Sequence, residues 1–269
     1  MTFFNLKDGT KIFYKEEGKG APPISLIHGW TIDSWVWRNQ VPFLSKSYRV
    51  ITPDLKGHGA SDKPQSRYTV RGFAEEMNQL FDKLLGAEKF VLVGHSMGGM
   101  IALAYATDPV FSRKLKGLIL CNTRHAMKGD PGLKGLVDLM KKGMLGQGRT
   151  ARETVLKTAF NAKFMREHKD IFQQAVDEVL KCPDHVMISC VEGWVEEYDL
   201  TDKLDRINLP TLIITSDTDG QMDPKYSTYM KEHIKNSQLV VLKPQIGHHT
   251  LLEAPDEFNK ALKGFIEKL

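Results

Sequence analysis

The most informative segment of the chain is Val91-Leu92-Val93-Gly94-His95-Ser96-Met97-Gly98-Gly99. It places the pattern Gly94-x-Ser96-x-Gly98 directly after a short apolar run and directly before a helical pattern. A serine on such a strand-to-helix turn has a strained backbone, and its hydroxyl is exposed above the sheet. This context predicts Ser96 as a nucleophile, whereas the alternative is a chance occurrence of the pattern in a loop. His95 adjoins Ser96 but points in a different direction on such a turn, so we interpret it as structural.

Short apolar runs and helical patterns alternate on both sides of this turn. Short apolar runs are typical of strands that are buried on both faces. The helix Val70–Leu85 is predicted with Thr69 as its N-cap and Gly86 as its stop, and a second helix is predicted over Met97–Thr107. The alternation predicts a parallel sheet with helices on both faces. The predicted strands are Phe3–Leu6, Lys11–Glu16, Ile24–Ile27, Arg49–Pro53, Phe90–Val93, Leu118–Cys121, Thr211–Thr215 and Gln238–Leu242.

The alternation stops after Asn122, and no convincing strand is visible until Thr211. Helical patterns occupy this region, and Thr150 and Glu153 form a capping-box pattern before one of them. We therefore predict an all-helical insertion, with an α/β core at 1–122, a helical cap at 123–200 and the rest of the core at 201–269. The predicted cap helices are Leu133–Leu145, Ala151–Phe164, Asp170–Leu180 and His185–Glu197.

Four segments together carry a family resemblance. They are His28-Gly29-Trp30, the run from Asp54 to Ser61, the run from Gly94 to Gly99, and Gly247-His248. In this order they resemble the α/β-hydrolase superfamily over nearly the whole chain. The resemblance implies an α/β-hydrolase fold with a mostly parallel eight-stranded sheet flanked by helices, and a helical cap after the sixth strand. It also implies that Asp54 to Ser61 is a structural turn, so His58 is not read as catalytic.

A serine hydroxyl is a poor nucleophile at neutral pH and needs a base. His248 follows a predicted strand and lies in a loop directly after Gly247. In the resembling family the base occupies this position, and the following Glu253-x-Pro255 also fits the family pattern. We predict His248 as the base, with His249 as the alternative.

The base in turn needs an acid that holds its tautomer. The family order is serine, acid, histidine, which places the acid after the strand Thr211–Thr215. The family loop is roughly Gly-x-x-Asp, and here Ser216 replaces the glycine while Asp219 takes the place of the acid. Asp217 is the alternative acid, or it caps the loop, and Asp223 is expected to cap the helix that begins at Pro224.

Acyl transfer also needs hydrogen-bond donors for the oxyanion. One expected donor is the backbone N–H of Met97, the residue after the predicted nucleophile. The resemblance implies that the other is the backbone N–H of Trp30. Because both donors are backbone groups, the side chains at these positions bear on substrate fit instead.

Composition excludes several other classes of protein. The 269 residues are 41% hydrophobic and 26% charged, and the net charge of +4 is too small and scattered for a nucleic-acid-binding surface. The three cysteines show neither a disulfide framework nor metal-ligand spacing, so no metal is expected. The first nine residues do not look like a signal peptide, and no apolar run is long enough to cross a membrane. We expect a cytoplasmic protein.

The resulting prediction is a serine hydrolase that cleaves small to medium carboxylic esters through an acyl-enzyme, without a cofactor. The resemblance leaves open lactones, carbon–carbon bonds and peracid formation, and a ligand receptor is the non-enzyme alternative. The pimeloyl-acyl-carrier-protein methyl ester esterases have a loop similar to His28-Gly29-Trp30. Residues 122–169 hold eleven Lys and Arg against four Asp and Glu, and residues 170–200 hold one against eight. A basic half-cap is compatible with an acidic acyl carrier protein as partner or with an ordinary solvated surface. Trp30 is the aromatic residue that we most readily place in the pocket. Seven apolar cap residues either line the pocket or pack the cap onto the core, namely Leu136, Leu139, Met140, Met144, Phe160, Phe164 and Trp194.

Overall fold

Eight strands form one sheet in the computed structural model, which describes residues 2–142 and 148–269. The strands follow in the order β1-β2-β4-β3-β5-β6-β7-β8, and β2 is antiparallel to both of its neighbours. All other pairs are parallel. This is the predicted α/β-hydrolase fold. The strands are β1 Thr2–Asn5, β2 Lys11–Glu17, β3 Ile24–Ile27, β4 Val50–Pro53, β5 Phe90–His95, β6 Leu115–Cys121, β7 Thr211–Ser216 and β8 Ser237–Leu242.

The helices cover both faces of the sheet. Phe90 and Leu92 of β5 belong to one apolar cluster, and Val91 and Val93 belong to the other, because successive side chains of a strand point to opposite faces. The α-helices are α1 Val41–Leu44, α2 Val70–Leu85, α3 Met97–Thr107, α4 Pro131–Lys141, α5 Gly148–Lys157, α6 Ala162–Glu167, α7 Lys169–Leu180, α8 Asp184–Glu197, α9 Pro224–His233, α10 Thr250–Glu253 and α11 Pro255–Ile266.

The helices flanking the Ser96 turn have the predicted bounds. The Thr69 side chain accepts a hydrogen bond from the backbone N–H of Gly72 at 3.0 Å, so it is the N-cap of α2. Gly86 ends α2 with a φ of 57°, a conformation that a glycine adopts without strain. On the other side, β5 continues two residues beyond its predicted end and leads directly into Ser96 and α3.

The helical region between β6 and β7 corrects two predictions. Ala151–Phe164 is not one helix, because α5 ends at Lys157 and α6 begins only at Ala162. Thr150 does not cap a helix, since it lies inside α5, where its carbonyl accepts from the hydroxyl of Thr154 at 2.8 Å. The first cap helix is also shorter than predicted, because α4 ends at Lys141, whereas Leu145, its predicted end, falls outside the described residues.

The two ends of this helical region meet. Ala126 forms an isolated antiparallel bridge with Asp199, and the Met127 N–H donates to the carbonyl of Tyr198 at 2.8 Å. Because these contacts close the insertion near its expected limits, we propose the division into core 1–122, cap 123–200 and core 201–269. None of the helices formed by the described residues has both the length and the apolar character needed to cross a membrane.

Candidate active site

Ser96 occupies a strained turn between β5 and α3. Its φ of 55° and ψ of −121° are unusual for a residue with a side chain. A Cβ atom on Gly94 would overlap the carbonyl of Gly98, and one on Gly98 would overlap the carbonyl of Ile27, so both positions require glycine. The backbone of Ser96 is fixed on both sides, since its N–H donates to Cys121 O at 2.9 Å and its carbonyl accepts from Thr123 Oγ1 at 2.8 Å. These contacts keep Ser96 in its strained backbone conformation, and in this conformation it lies at the surface of a cavity.

That cavity has a volume of about 260 Å³ and lies between the core and the helical insertion. The core side brings together all but one of the predicted site residues, namely Ser96, His248, Trp30 and Met97. The remaining one, Asp219, lies behind His248. The insertion supplies apolar side chains from α4, α5, α7 and α8. The lining is therefore mostly apolar, with a small number of polar groups near Ser96, which is typical of small-molecule sites.

His248 is buried and is held by Asp219. Its Nδ1 lies 2.9 Å from Asp219 Oδ2 and 3.1 Å from Oδ1. Because an ionised carboxylate only accepts hydrogen bonds, Nδ1 carries the proton in this contact. In the neutral ring Nε2 is then the nitrogen that can take up a proton, which is the tautomer that a general base for a serine needs.

Asp219 is surrounded by hydrogen-bond donors. Its Oδ1 accepts from the backbone N–H groups of Gln221 and Met222, each at 2.8 Å, and its Oδ2 accepts from Asn122 Nδ2 at 2.9 Å. Burial alone would raise the pKa of this carboxyl. The charge of protonated His248 and the hydrogen bonds outweigh burial and lower the pKa of Asp219 to about 2.

The alternative residues occupy other places. The Asp217 carboxylate accepts hydrogen bonds from the backbone N–H groups of Gln245 and Ile246, both at 3.1 Å, so it fixes the loop before the histidine. Asp223 caps α9 through the N–H of Lys225, as expected. His249 lines the cavity, and burial keeps the pKa of its imidazole well below the usual value.

A polar network that was not predicted from the sequence lies behind His248. Asn122 donates to both Asp219 and Ser216, and its Oδ1 accepts from the hydroxyl of Thr250 at 2.7 Å. The Ser216 hydroxyl donates to Gly247 O at 2.7 Å, so the serine that replaces the family glycine ties β7 to the histidine loop. Asn122 directly follows β6, and polar residues at the carboxyl ends of parallel strands are the signal that could have revealed it.

The predicted oxyanion loop packs against the turn at Ser96. A Cβ atom on Gly29 would lie 3.2 Å from Ser96 Cβ. The next residues are fixed because Thr31, strained at a φ of 66°, donates its hydroxyl to Trp30 O at 2.6 Å. Met97 begins α3, where the first N–H groups have no intrahelical acceptor. No carbonyl of the described residues accepts the N–H of Trp30 or of Met97.

Three further histidines are structural. His28 Nε2 accepts from the N–H of Leu55 at 2.9 Å, and His58 is fully buried beneath the turn that begins at Asp54. His95 Nε2 lies 3.0 Å from the carbonyl of His248 and so supports the histidine loop. Burial lowers the pKa of both His58 and His95 to about 3, so both rings are neutral at ordinary pH.

The expected pocket residues divide into three groups. Trp30, Leu136, Met140 and Trp194 line the cavity. Leu139 is exposed, and Phe160 and Phe164 stack on each other at 5.7 Å in an apolar cluster, so these three are not among the residues that line the cavity. Met144 lies outside the described residues.

The break between α5 and α6 contacts the histidine loop. Ala159 O accepts from the N–H of His248 at 2.8 Å. Glu253 Oε2 accepts from the N–H of Gly247 at 3.0 Å and from the N–H of Asn161 at 3.1 Å. This pair of hydrogen bonds, called the Glu253 bridge below, connects the helical insertion to the loop that carries His248.

Comparison with known proteins identifies the family to which this chain belongs. A family model for the alpha/beta hydrolase fold matches residues 22–255. The chain is 30% identical to a putative non-heme chloroperoxidase of Synechocystis sp., over 95% of each chain. It is 25% identical to a pimeloyl-[acyl-carrier protein] methyl ester esterase of Aliivibrio fischeri, over 96% of this chain and 98% of that protein. A solved structure of a thermophilic esterase from Thermogutta terrifontis has a TM-score of 0.90 at 27% identity, covering 100% of this chain and 99% of that one. The match along most of the chain, together with the sheet order and the strained serine turn, shows that this protein belongs to the α/β-hydrolase family.

Proposed function

We propose that this protein is a serine hydrolase that cleaves carboxylic esters of small to medium size. The observation that carries the proposal is the arrangement around one cavity. Ser96 projects from a strained turn, and His248 lines the same cavity with its Nδ1 fixed by Asp219 at 2.9 Å. This arrangement provides a nucleophile, a base and an acid in the roles that acyl transfer requires.

The reaction begins when Ser96 Oγ attacks the ester carbonyl carbon and His248 Nε2 takes the hydroxyl proton. The negative charge that develops on the carbonyl oxygen is stabilised by the N–H groups of Trp30 and Met97. The carbon–oxygen bond to the alcohol then breaks, and protonated His248 gives its proton to the leaving alcohol. Asp219, ionised at ordinary pH, stabilises the charged imidazole. Water, activated by His248, hydrolyses the acyl-enzyme in the same two steps.

The charge distribution of the cap favours small-molecule esters over an ester carried by a carrier protein. Most basic side chains of the first half of the cap are exposed, but several pair with acids of the second half. Lys141 contacts Glu192, and Arg149 lies 3.1 Å from Asp177. These ion pairs partly neutralise the charge asymmetry within the cap. They support a role for the basic residues in holding the cap together, and not in binding a carrier protein. An acyl carrier protein remains the second candidate partner, supported by the exposed basic residues and by the name of the Aliivibrio relative.

A fluorophosphonate probe tests the assignment directly. We expect the purified protein to react once per chain, with the adduct mapping to Ser96 by mass spectrometry. Ser96→Ala should abolish labelling and lower kcat on p-nitrophenyl butyrate by several orders of magnitude, since removing such a nucleophile typically costs about 10⁶-fold. The fold should remain intact by circular dichroism. A Ser96→Ala protein that keeps more than a few per cent of the activity would exclude the serine mechanism.

A further inference from the structure

The cavity wall has an unusual balance of charge. Among the described residues that line it are two arginines, Arg124 and Arg152, and no aspartate or glutamate. The other lining groups are mainly apolar, so the effective dielectric near these cations is low. Charge interactions made inside such a site are stronger than in water. Each arginine also contacts a carboxylate outside the lining, Asp130 for Arg124 and Asp184 for Arg152. An anionic ligand is therefore favoured only where an arginine keeps donors that these contacts do not use.

The two arginines differ in the contacts that their side chains make within the protein. Arg152 is buried, and its guanidinium donates to the carbonyls of Val179 and Cys182 and pairs with Asp184. These contacts span α5, α7 and the start of α8, so Arg152 serves to hold the cap helices together.

Arg124 keeps unused donors beside the site. Its Nε donates to Ala126 O at 2.6 Å, one Nη2 hydrogen points to Asp130 at 3.3 Å, and its guanidinium lies over the ring of Tyr226 at 4.5 Å. A guanidinium has five N–H donors, and Nη1 has no acceptor among the described residues. The group is thus oriented in advance, which lowers the entropy lost when it binds an anion.

Chain connectivity ties Arg124 to the reacting groups. Asn122 hydrogen-bonds Asp219, and Thr123 hydrogen-bonds the carbonyl of Ser96. Arg124 follows directly, and the hydroxyl of Tyr198 donates to its carbonyl at 2.8 Å. Its backbone is therefore fixed relative to Ser96, and its side chain lines the same cavity.

We propose that Arg124 binds a carboxylate on the substrate, so that the preferred esters are half-esters of dicarboxylic acids. This inference rests on the serine-hydrolase function proposed above. The ester group sits at Ser96, the apolar wall covers the intervening methylene groups, and the carboxylate accepts hydrogen bonds from Arg124. Arginine suits this task because its N–H groups match the two oxygens of a carboxylate.

The test uses pairs of substrates that differ only in charge. Monomethyl esters of dicarboxylic acids with four to eight carbons are compared with the same molecules in which the free carboxylate is replaced by a carboxamide. For the best chain length we expect kcat/KM to be at least about tenfold higher for the acid, because hydrogen bonds to charged groups are the stronger kind. The advantage should appear mainly in KM.

Variants assign this preference to one residue. Arg124→Gln should reduce the acid-to-amide ratio to about one or below, and Arg124→Lys, which keeps the charge without the planar fork, should give an intermediate ratio. The matched control is Arg149→Gln, which removes an exposed arginine of the cap outside the cavity lining and should keep the wild-type ratio. Circular dichroism and thermal melting establish that each variant is folded.

The outcomes separate the two proposals. Hydrolysis of acid and amide esters at equal kcat/KM would overturn the role of Arg124 and leave the serine hydrolase intact. A preference for the acid that survives in Arg124→Gln would also overturn that role. Failure of every ester to react, together with the absence of fluorophosphonate labelling, would overturn the proposed function itself.

Discussion

All hydrogen-bond partners of Asp219 among the described residues are donors. Its two oxygens face the imidazole Nδ1–H of His248, the side-chain amide of Asn122 and the backbone N–H groups of Gln221 and Met222. An ionised carboxylate satisfies all of them, since it has about four acceptor sites and no proton to place. An amide side chain of the same shape must direct its own N–H₂ group at one of these donors.

We predict that Asp219→Asn lowers kcat by about 10³- to 10⁴-fold, because its amide either opposes Nδ1–H and favours the wrong tautomer or disrupts the loop. The matched control, Asp217→Asn, should cost less than about tenfold, since Asp217 only receives two backbone N–H groups and its replacement retains a carbonyl acceptor. Steady-state kinetics on p-nitrophenyl butyrate gives both numbers. Similar, mild losses in the two variants would mean that Asp219 is not the acid, and a large loss at Asp217 alone would favour Asp217.

The lowered pKa of Asp219 predicts a pH dependence of stability. The pKa falls from 3.8 to about 2 on folding, so Asp219 stabilises the folded state fully above about pH 5 and loses this contribution as the pH falls towards 2. Integrated between pH 5 and pH 3, the loss is about 1 kcal/mol. Urea unfolding at the two pH values should show that the free energy of unfolding drops by about that much more in the wild type than in Asp219→Asn. Equal drops would contradict a lowered pKa at this position.

The sequence predicts helices and strands best where several local signals agree. The strand β5, the Ser96 turn and α3 follow from an apolar run, two glycines and a helical pattern, and α2 follows from Thr69 and Gly86. The order of the other motifs then places Asp219 and His248 at the same edge of the sheet as Ser96, because the carboxyl ends of parallel strands meet there.

The same signals fail where distant contacts decide the backbone. Helical periodicity continues through 158–161, yet the chain leaves the helix there. The carbonyl of Ala159 accepts a hydrogen bond from the N–H of His248, and the N–H of Asn161 donates to Glu253, a residue 92 positions away. Ser216 is similar, since its partner Gly247 lies 31 positions away. No local pattern contains these partners, so neither the helix break nor the hydrogen bond of Ser216 could be predicted. Only the position of Asn122 at the end of β6 was visible in the sequence.

The Glu253 bridge gives a testable prediction about stability and activity. Glu253→Ala removes the acceptor of the N–H groups of Gly247 and Asn161, and we expect the free energy of unfolding to fall by about 1–3 kcal/mol. The kcat should fall as well, because the loop that carries His248 loses its contact with the cap. Glu253→Gln, which keeps one acceptor oxygen, should lose less.

Glu257→Ala is the control for this prediction, since Glu257 is an exposed glutamate on α11. Urea unfolding and kcat are measured for all three variants and the wild type. If Glu253→Ala unfolds and turns over substrate like Glu257→Ala, the bridge has no role in positioning the histidine loop.

Core and cap each supply part of the candidate site. The core positions the proposed reacting groups through the ends of its strands, and the cap closes the cavity above them with side chains from four helices. The cap is joined to the core beside the reacting groups, through Ala159 and the Glu253 bridge at the histidine loop and through Arg124 after β6. A substrate that displaces the cap therefore also disturbs His248.

This coupling predicts how activity depends on acyl length. Each methylene buried in the apolar wall is worth up to about 0.8 kcal/mol, so kcat/KM should first rise as the chain grows. A cavity of about 260 Å³ is at the small end of ligand sites, and a longer chain must leave its end in water or push the cap away from the histidine loop. We expect kcat/KM for p-nitrophenyl esters from two to sixteen carbons to pass through a maximum at short or medium length, with little activity on emulsified triolein. A steady rise up to sixteen carbons, together with activation at the oil–water interface, would instead make the protein a lipase.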